Sequence, residues 1–574
     1  MRRTFHTPSL FLSSLLLSFL LLQPATPLPG ATIPDGGTLL RDQQNSRQQP
    51  KELPPREKER AVPSTEGEGV MVEVKGFRFS GYDGVATERE LQSLVAGARG
   101  RTLSFSQLNA LVETLAAHFR EKGWGQVRVW LPAQDITSGM VQITITQVKS
   151  DGLIALRRDK SVRIREGVLR SFVQPVVHPN QPVNEHELER SLLLLNDFPG
   201  LSTKANFVPT AQPAVSSLEV LVREGALFSG MLWGDNQGNR YTGFGRGNAS
   251  FSINDPLHYG DQMTLLLTEA SGLAQGRAGY GFPVASNGIR GTVAWSGMRY
   301  ELGEELASLQ YRGRSNSVEA SFSFPLLRTR TVNFTNSLSY GYRSLVDTRS
   351  GTDIRDKQLR MLTLSMSGDR YDQLFGGGYT NYSAGVTTGT LHESIADISL
   401  TGAEGRYTHF NLSIARLQRL GDRFTLNLSG SSQQTLSNLD SSEKFSLGGP
   451  NGVRAYPVSE ASGDEGQLVN VDLRYILPLP AQWGVFQLSG FYDTGHILLN
   501  KVRYAGDVSS ITKRNDYWLQ GFGAGLNYTW SGRASLRATW AHVLGDNPGR
   551  SAEGNNSDGL NDRSRLWLQA MLSF

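Results

Sequence analysis

The chain has 574 residues, 39% of them hydrophobic, 19% charged and 9% aromatic, with 62 glycines, no cysteine and a net charge of only +4. That length calls for two or more domains, and the apolar and aromatic content is too high for a disordered chain. The weak, dispersed positive charge argues against a nucleic-acid partner, which needs a clustered basic footprint; the missing cysteines exclude disulfides and thiolate metal sites and suit a periplasmic or outer-membrane address.

At the N-terminus, Arg2 and Arg3 precede a mostly apolar run from Leu10 to Leu22. A helix of that length rises about 20 Å, short of a bilayer core of about 30 Å, so the run reads as a Sec signal peptide rather than an anchor. Residues 1–31 are assigned to it, with cleavage between Ala25 and Ala31. No later stretch approaches a membrane-spanning apolar helix, so a mature chain that enters a membrane does so as a β-barrel. Residues 32–69 are rich in Gln, Arg, Glu and Pro. Within them Thr38 to Gln49 predicts a short polar helix stopped by Pro50, and Lys51 to Gly69 reads as a linker.

Residues 70–224 carry an internal repeat of two β-α-α-β-β units, 70–148 and 149–224. In the first, Val70 to Phe79 opens as a strand. Leu108, Leu111, Val112, Leu115 and Phe119 then fall on one helical face, with Ser104 and Gln107 at capping-box spacing and Gly123 past the end. Val127 and Val129, then Val141, Ile143 and Ile145, alternate as strands. The second unit repeats the order: a strand at Leu153 to Leu156, a helix from Ile164 to Val173 stopped by Pro175, a second helix capped at Asn184 with Leu188, Leu192 and Leu195 on its apolar face, and a last strand bearing Leu218, Val220 and Val222.

From Gly225 onward the period becomes two. Val332 to Tyr340, Phe424 to Ser429, Arg533 to Trp540 and Leu566 to Phe574 all alternate apolar with polar residues, between turns rich in Gly, Asn and Asp. Apolar residues facing lipid and polar ones facing a wet lumen fit a transmembrane antiparallel barrel, and roughly 20 to 22 residues per strand and connection gives about 16 strands in 225–574. A soluble sandwich or propeller is the competing fold; the leader, the arginines on the polar face and the alternation up to Phe574 argue against it.

Several segments are specific beyond their period. They are Asp197-Phe198-Pro199-Gly200; Gly234-Asp235-Asn236 with Gly238 and Gly243; Asn254-Asp255-Pro256-Leu257 with Gly260-Asp261; Gly448-Gly449 followed by Val453-Arg454-Ala455-Tyr456; and Phe491-Tyr492-Asp493-Thr494-Gly495. In this order and architecture the chain resembles the outer-membrane transporters of two-partner secretion (TpsB proteins), which include the haemolysin and filamentous-haemagglutinin exporters. The resemblance implies two periplasmic POTRA domains of the haemolysin-exporter type ahead of an outer-membrane barrel. Val453, Arg454, Ala455 and Tyr456 resemble the motif at the tip of the sixth extracellular loop, and Phe491, Asp493 and Gly495 the inner-wall motif that receives it. The resemblance further implies that Arg454 pairs with Asp493. Taken singly, Arg454 reads as a solvated loop residue and Asp493 as a turn former; together inside a barrel, neither charge is cheaply left alone. Ala455 stands where the family most often has Gly, and because Ala disfavours φ > 0 a reshaped tip is expected. Phe574 resembles the terminal aromatic that barrels present to their assembly machinery. Thr38 to Gln49 is similar in placement to a plug helix that some members run through the lumen.

No catalytic, metal or cofactor pattern accompanies these. His392-Glu393 lacks the second His of a zinc helix, the glycines at 243, 245 and 247 lack a following Lys-Ser/Thr, and no nucleophile elbow occurs. What the resemblance implies as function is capture of an unfolded, large TpsA-type exoprotein by sheet-edge pairing and its secretion across the outer membrane, with activation of the client a property of the haemolysin members. Outer-membrane lipids, the barrel-assembly machinery and periplasmic chaperones are the other expected partners. An insertase, which usually has more POTRA units, and a passive porin, which needs none, are the alternatives.

Overall fold

The computed structural model describes residues 33–45, 71–395, 401–504, 507 and 510–574. The expected signal peptide, the linker Lys51 to Gly69 and positions 46–49 of the expected polar helix lie outside the described residues. The described part of that helix, α1 (Gly36–Asn45), begins two residues earlier than the sequence suggested. Asp35 explains the shift: its Oδ1 accepts from the Thr38 amide (2.9 Å) and the Thr38 hydroxyl (2.8 Å), an N-cap bond that fixes the first turn.

The first periplasmic-type unit holds β1 (Met71–Glu73), β2 (Gly76–Ser80), α2 (Glu88–Leu94), β3 (Thr102–Ser104), α3 (Phe105–Glu121), β4 (Val127–Trp130) and β5 (Met140–Gln147). Its sheet runs β2-β5-β4, with β2 and β5 parallel, and the short pair β1–β3 is an addition the sequence did not reveal. Both halves of the capping box form at Ser104 and Gln107. The amphipathic face then buries Leu108, Val112, Leu115 and Phe119 under the sheet, while Leu111 is half-buried. Gly123, in the left-handed region at φ 82°, ends the helix. Lys122 and His118 from this end hydrogen-bond Glu90 of α2 and hold its carboxyl below its ordinary range.

The second unit repeats the plan with β6 (Lys149–Arg158), α4 (Glu166–Val173), α5 (Glu185–Asn196), β7 (Leu201–Pro209) and β8 (Val215–Glu224), in the sheet order β6-β8-β7. Asn184 caps α5 by accepting from the amides of His186 and Glu187. The same residue ties the units together: its Nδ2 donates to the Lys122 carbonyl (3.0 Å), and the next amide, Glu185, donates to the Gly123 carbonyl (2.7 Å).

Sixteen antiparallel strands close the barrel. They are β9 (Phe228–Asp235), β10 (Arg246–Asn254), β11 (Gln262–Ala270), β12 (Leu273–Pro283), β13 (Arg290–Glu301), β14 (Tyr311–Arg328), β15 (Val332–Arg349), β16 (Thr352–Asp372), β17 (Gly378–Glu393), β18 (Gly405–Arg419) and β19 (Phe424–Thr435). A loop hairpin, β20 (Phe445–Ser446) with β21 (Ser462–Gly463), precedes β22 (Glu465–Ile476), β23 (Val485–Leu498), β24 (Asp516–Trp530), β25 (Ala534–Val543) and β26 (Ser564–Ser573). Pairing of β26 with β9 removes the last sheet edge, and Phe574 completes the seam by exchanging backbone bonds of 3.0 Å with Gly230. Outward residues such as Leu338, Leu364, Leu412 and Leu536 are exposed and apolar, as a lipid-facing wall requires.

Two of the specific segments meet at the junction. The Phe198 ring covers Gly260 so closely that a Cβ there would collide with it. Asp255 accepts from the Gly260 amide (2.6 Å), and Asp261 takes the Tyr280 hydroxyl (2.9 Å), holding the hairpin under that ring. Arg328, at the turn after β14, forks onto Asp197 at 2.7 and 2.9 Å. The turn after α5 is thus seated on the periplasmic rim of the barrel.

Replacing Ser104 by Ala removes one half of the box and is expected to cost about 1 kcal/mol of local stability in α3. Amide exchange in the full chain should quicken over 105–109 and stay unchanged in the barrel; equal protection in the variant would contradict the capping assignment.

Candidate functional site

The segment between β19 and β22 folds into the lumen instead of outward. Apolar contacts set its course: Leu447 lies against Gly495, and the Phe445 ring covers Gly466, each filling space that a Cβ on the wall would occupy. Val453, Ala455 and Tyr456 are fully buried in the same cluster with Phe491, Leu519 and Ala541.

At its tip Arg454 meets the wall with every donor group it has. Nη2 and Nε donate to the two oxygens of Asp493 at 2.6 and 2.8 Å, the backbone amide adds a third bond to Asp493 at 3.0 Å, and Nη1 donates to Asp472 at 2.8 Å. The guanidinium carbon stands 3.4 Å over the Phe491 ring centroid. Asp493 is wholly buried and also accepts from Asn470 Nδ2 (2.8 Å), whose other hydrogen goes to the Gly452 carbonyl (3.0 Å). A bidentate pair in such a place is geometrically strict: removing either partner strands a charge away from bulk water, at a cost of about 3–5 kcal/mol.

Strand alternation explains why these residues converge. Phe491, Asp493 and Gly495 are every second residue of β23 and so share its inner face. In register, Asn470 of β22 stands beside Asp493, and Asp472 beside Phe491. On the other flank Gly521 of β24 pairs with Asp493. A Cβ at Gly521 would lie 2.6 Å from the Ala455 methyl. Ala455 is not among the residues with positive φ; near the tip those are Gly449, Ser459 and Ala461. The left-handed strain that Ala would suffer in a Gly position is therefore not present at 455. The turn does not need a left-handed residue at 455, and the bare wall at Gly521 makes room for the methyl.

Three contributors escaped the sequence reading. Asp472 and Asn470 had a signal, since both alternate with Val469, Val471 and Leu473 on the polar face of their strand. Trp567, whose indole donates to the Arg454 carbonyl (2.8 Å), had the same signal, since it alternates with Leu566 and Leu568 and so falls on the inward face of β26. Glu460 is also buried and is held by Asn547 Nδ2 (2.6 Å) and the Ser557 amide (2.7 Å), which ties the returning limb to the last extracellular loop.

Helix α1 lies against the same loop. Arg41 donates to the carbonyls of Ser441 and Lys444 (both 3.3 Å) and to Ser462 Oγ (2.7 Å), and Asp42 accepts from Ser459 Oγ. Both limbs of the loop thus hold one short helix. Its apolar side, Leu39 and Leu40, packs with Tyr241, Met298 and Tyr300. At its start Asp35 accepts from Ser441 Oγ (2.6 Å) and stands 3.7 Å from Lys357, which itself pairs with Asp440 at 2.5 Å.

Among the described residues no group of three or more His, Asp or Glu could hold a metal ion. His392 stands 3.7 Å from Glu404 as an exposed pair.

Residues 215–528 match the family model described as "Haemolysin secretion/activation protein ShlB/FhaC/HecB", and residues 72–147 match "POTRA domain, ShlB-type". The heme/hemopexin transporter protein HuxB of Haemophilus influenzae strain 86-028NP is 26% identical over 495 residues, covering 84% of each chain. The outer membrane transporter CdiB of Dickeya dadantii is 22% identical over 450 residues, 76% of this chain and 78% of that one. Among solved structures, CdiB from Escherichia coli superposes with a TM-score of 0.74 at 18% identity, covering 95% of this chain and all of the other.

The fit between Ala455 and Gly521 yields a two-step expectation. Gly521→Ala alone forces the tip off the wall, an overpacking cost of about 1–3 kcal/mol. Protease cleavage within 445–463 in intact outer membranes should rise. Adding Ala455→Gly should restore protection; a double variant as sensitive as the single one would refute the contact.

Proposed function

The chain belongs to the haemolysin secretion/activation protein family, and from that premise we propose that its lumen is closed by the inward loop and α1 and opens for a client when Arg454 leaves its carboxylates. The protein is an outer-membrane transporter of the two-partner kind, whose periplasmic POTRA-type region and barrel serve the secretion of a large TpsA-type exoprotein. The single observation that carries the gating reading is the division of one guanidinium between Asp493 and Asp472, two strands' worth of wall held by one loop residue.

In this reading the units 70–148 and 149–224 are POTRA domains that receive the client unfolded from periplasmic chaperones. Sheet edges suit such a client because they bind through main-chain hydrogen bonds rather than a folded surface. Val453, Ala455 and Tyr456 hold the tip by packing, Arg454 by charge, and Phe491, Asp493 and Gly495 form its receptor. Phe574 acts earlier, as the residue the assembly machinery reads while the barrel enters the lipid. No nucleotide-binding motif is involved; folding of the client outside the cell gives transport its direction.

Secretion of an exoprotein co-expressed with the chain tests this. Arg454→Ala, compared at equal outer-membrane levels, is expected to lower the secreted amount at least about tenfold, because the unseated loop leaves Asp493 and Asp472 unpaired in the client's path and the gate without a defined closed state to cycle from. Client should then accumulate in the periplasm. Unchanged secretion by the variant would remove Arg454 from the gate.

A further inference from the structure

The lumen has two unlike walls. Around β22 to β26 the inward positions carry Asp472, Arg474, Asp493, Arg537 and Arg565, and the loop tip sits on them. Earlier in the closed ring, up to β19 beside β22, the segments 335–341, 361–367, 381–387, 411–415 and 425–433 of β15 to β19 contain no charged residue at all. Their outward side chains are the exposed Leu338, Leu364, Leu412 and Leu428. Alternation therefore turns the Ser, Thr, Asn and Gly between them inward.

These hydroxyls satisfy one another across strands. Ser337 bonds Ser365 at 2.7 Å, Thr363 bonds Thr387 at 2.9 Å, and Ser383 bonds Ser413 at 2.8 Å. A cavity of about 540 Å³ lies directly against them, bounded on its other side by the loop at Gly448–Gly452 and by Arg41, Asp42 and Gln44 of α1. It is open space beside the closed gate; besides the hydroxyl wall its lining includes Arg277 with Glu319, 3.2 Å apart, and Arg343 and His409, which both pair with Glu443.

We propose that the unfolded polypeptide crosses the lumen as an extended segment along this hydroxyl wall. The proposal rests on the transporter reading above. An unfolded client carries charges of both signs and a full set of backbone donors and acceptors. A charged wall would trap parts of it in ion pairs, whereas conduction needs contacts weak enough to be left again. Hydroxyls already paired with their neighbours present weak, exchangeable bonds through water and no fixed partner. The wall of β22 to β26, by contrast, must keep its charges to receive the loop. Division of labour between the two sides follows: one holds the gate and the other passes the chain.

The absence of native cysteine makes the path directly readable. Single variants S383C and S413C on the hydroxyl wall are compared with Q569C, an inward position of β26. The probe is a co-expressed exoprotein carrying one engineered cysteine and arrested by a folded domain fused to its C-terminus. Disulfide-linked client is expected at S383C and S413C in several-fold excess over Q569C, and it should vanish for a client without the arresting domain. S337C replaces either wall variant that assembles poorly. Equal or greater linkage at Q569C, with secretion by the parent chain intact, overturns the path alone. If the parent chain secretes no client, the transporter reading falls and the path with it.

Discussion

A guanidinium placed inside a barrel has few places to go, and that constraint organises the export half of this molecule. Arg454 enters the lumen on a loop that begins and ends at the extracellular rim, so its charge has to be met by the wall or be left partly desolvated and alone. Asp493 and Asp472 meet it, Asn470 and the Phe491 ring complete the seat, and Trp567 binds the tip's own carbonyl. Around this seat the barrel wall is reduced to glycine at 495 and 521, so that Leu447 and Ala455 close without a gap. A pair that is buried but not fully dry has a useful property for a gate: it is specific when seated, and the cost of leaving falls as water enters.

The second consequence is coupling. Because Arg41 and Asp42 of α1 bind both limbs of the loop, the helix is held by the loop and the loop by the wall. The helix has little apolar surface beyond Leu39 and Leu40, so it depends on these polar partners for its place. Docking of the second periplasmic unit through Asp197 and Arg328, with Phe198 over Gly260, puts that unit and the barrel mouth in fixed relation. The barrel mouth thus leads to a lumen whose helix and loop share their attachments.

Much of this was legible beforehand, and the reasons differ by element. Period-two alternation announced the barrel because a lipid-facing wall permits no other pattern, and Ser104 with Gln107 marked α3 because a capping box is a local event. Arg454 and Asp493 were visible as motif residues. Their surroundings were less so. Asp472 could be assigned to the inner face but not to Arg454, since the inward reach of a long loop is not encoded in any local period. Trp567 falls on the inner face by the alternation of β26, but nothing in that period ties it to Arg454. The start of α1 was misplaced because Asp35 was not read as a cap, and its partners stand some four hundred residues away in sequence, as in the contact of Asp35 with Ser441. Ala455 was expected to strain the tip; the register of β24, which sets a bare Gly521 beside it, shows where its methyl is accommodated.

The central claim is that the loop stays in the lumen through the mutual dependence of Arg454 and Asp493. Amide hydrogen exchange over residues 445–463, measured for the parent chain, R454A, D493A and the double variant, tests it as a thermodynamic cycle. The account predicts that each single change speeds exchange strongly and that the double variant is scarcely faster than either. Independent, additive effects, or full protection in R454A, would contradict it and leave the loop's position to packing alone.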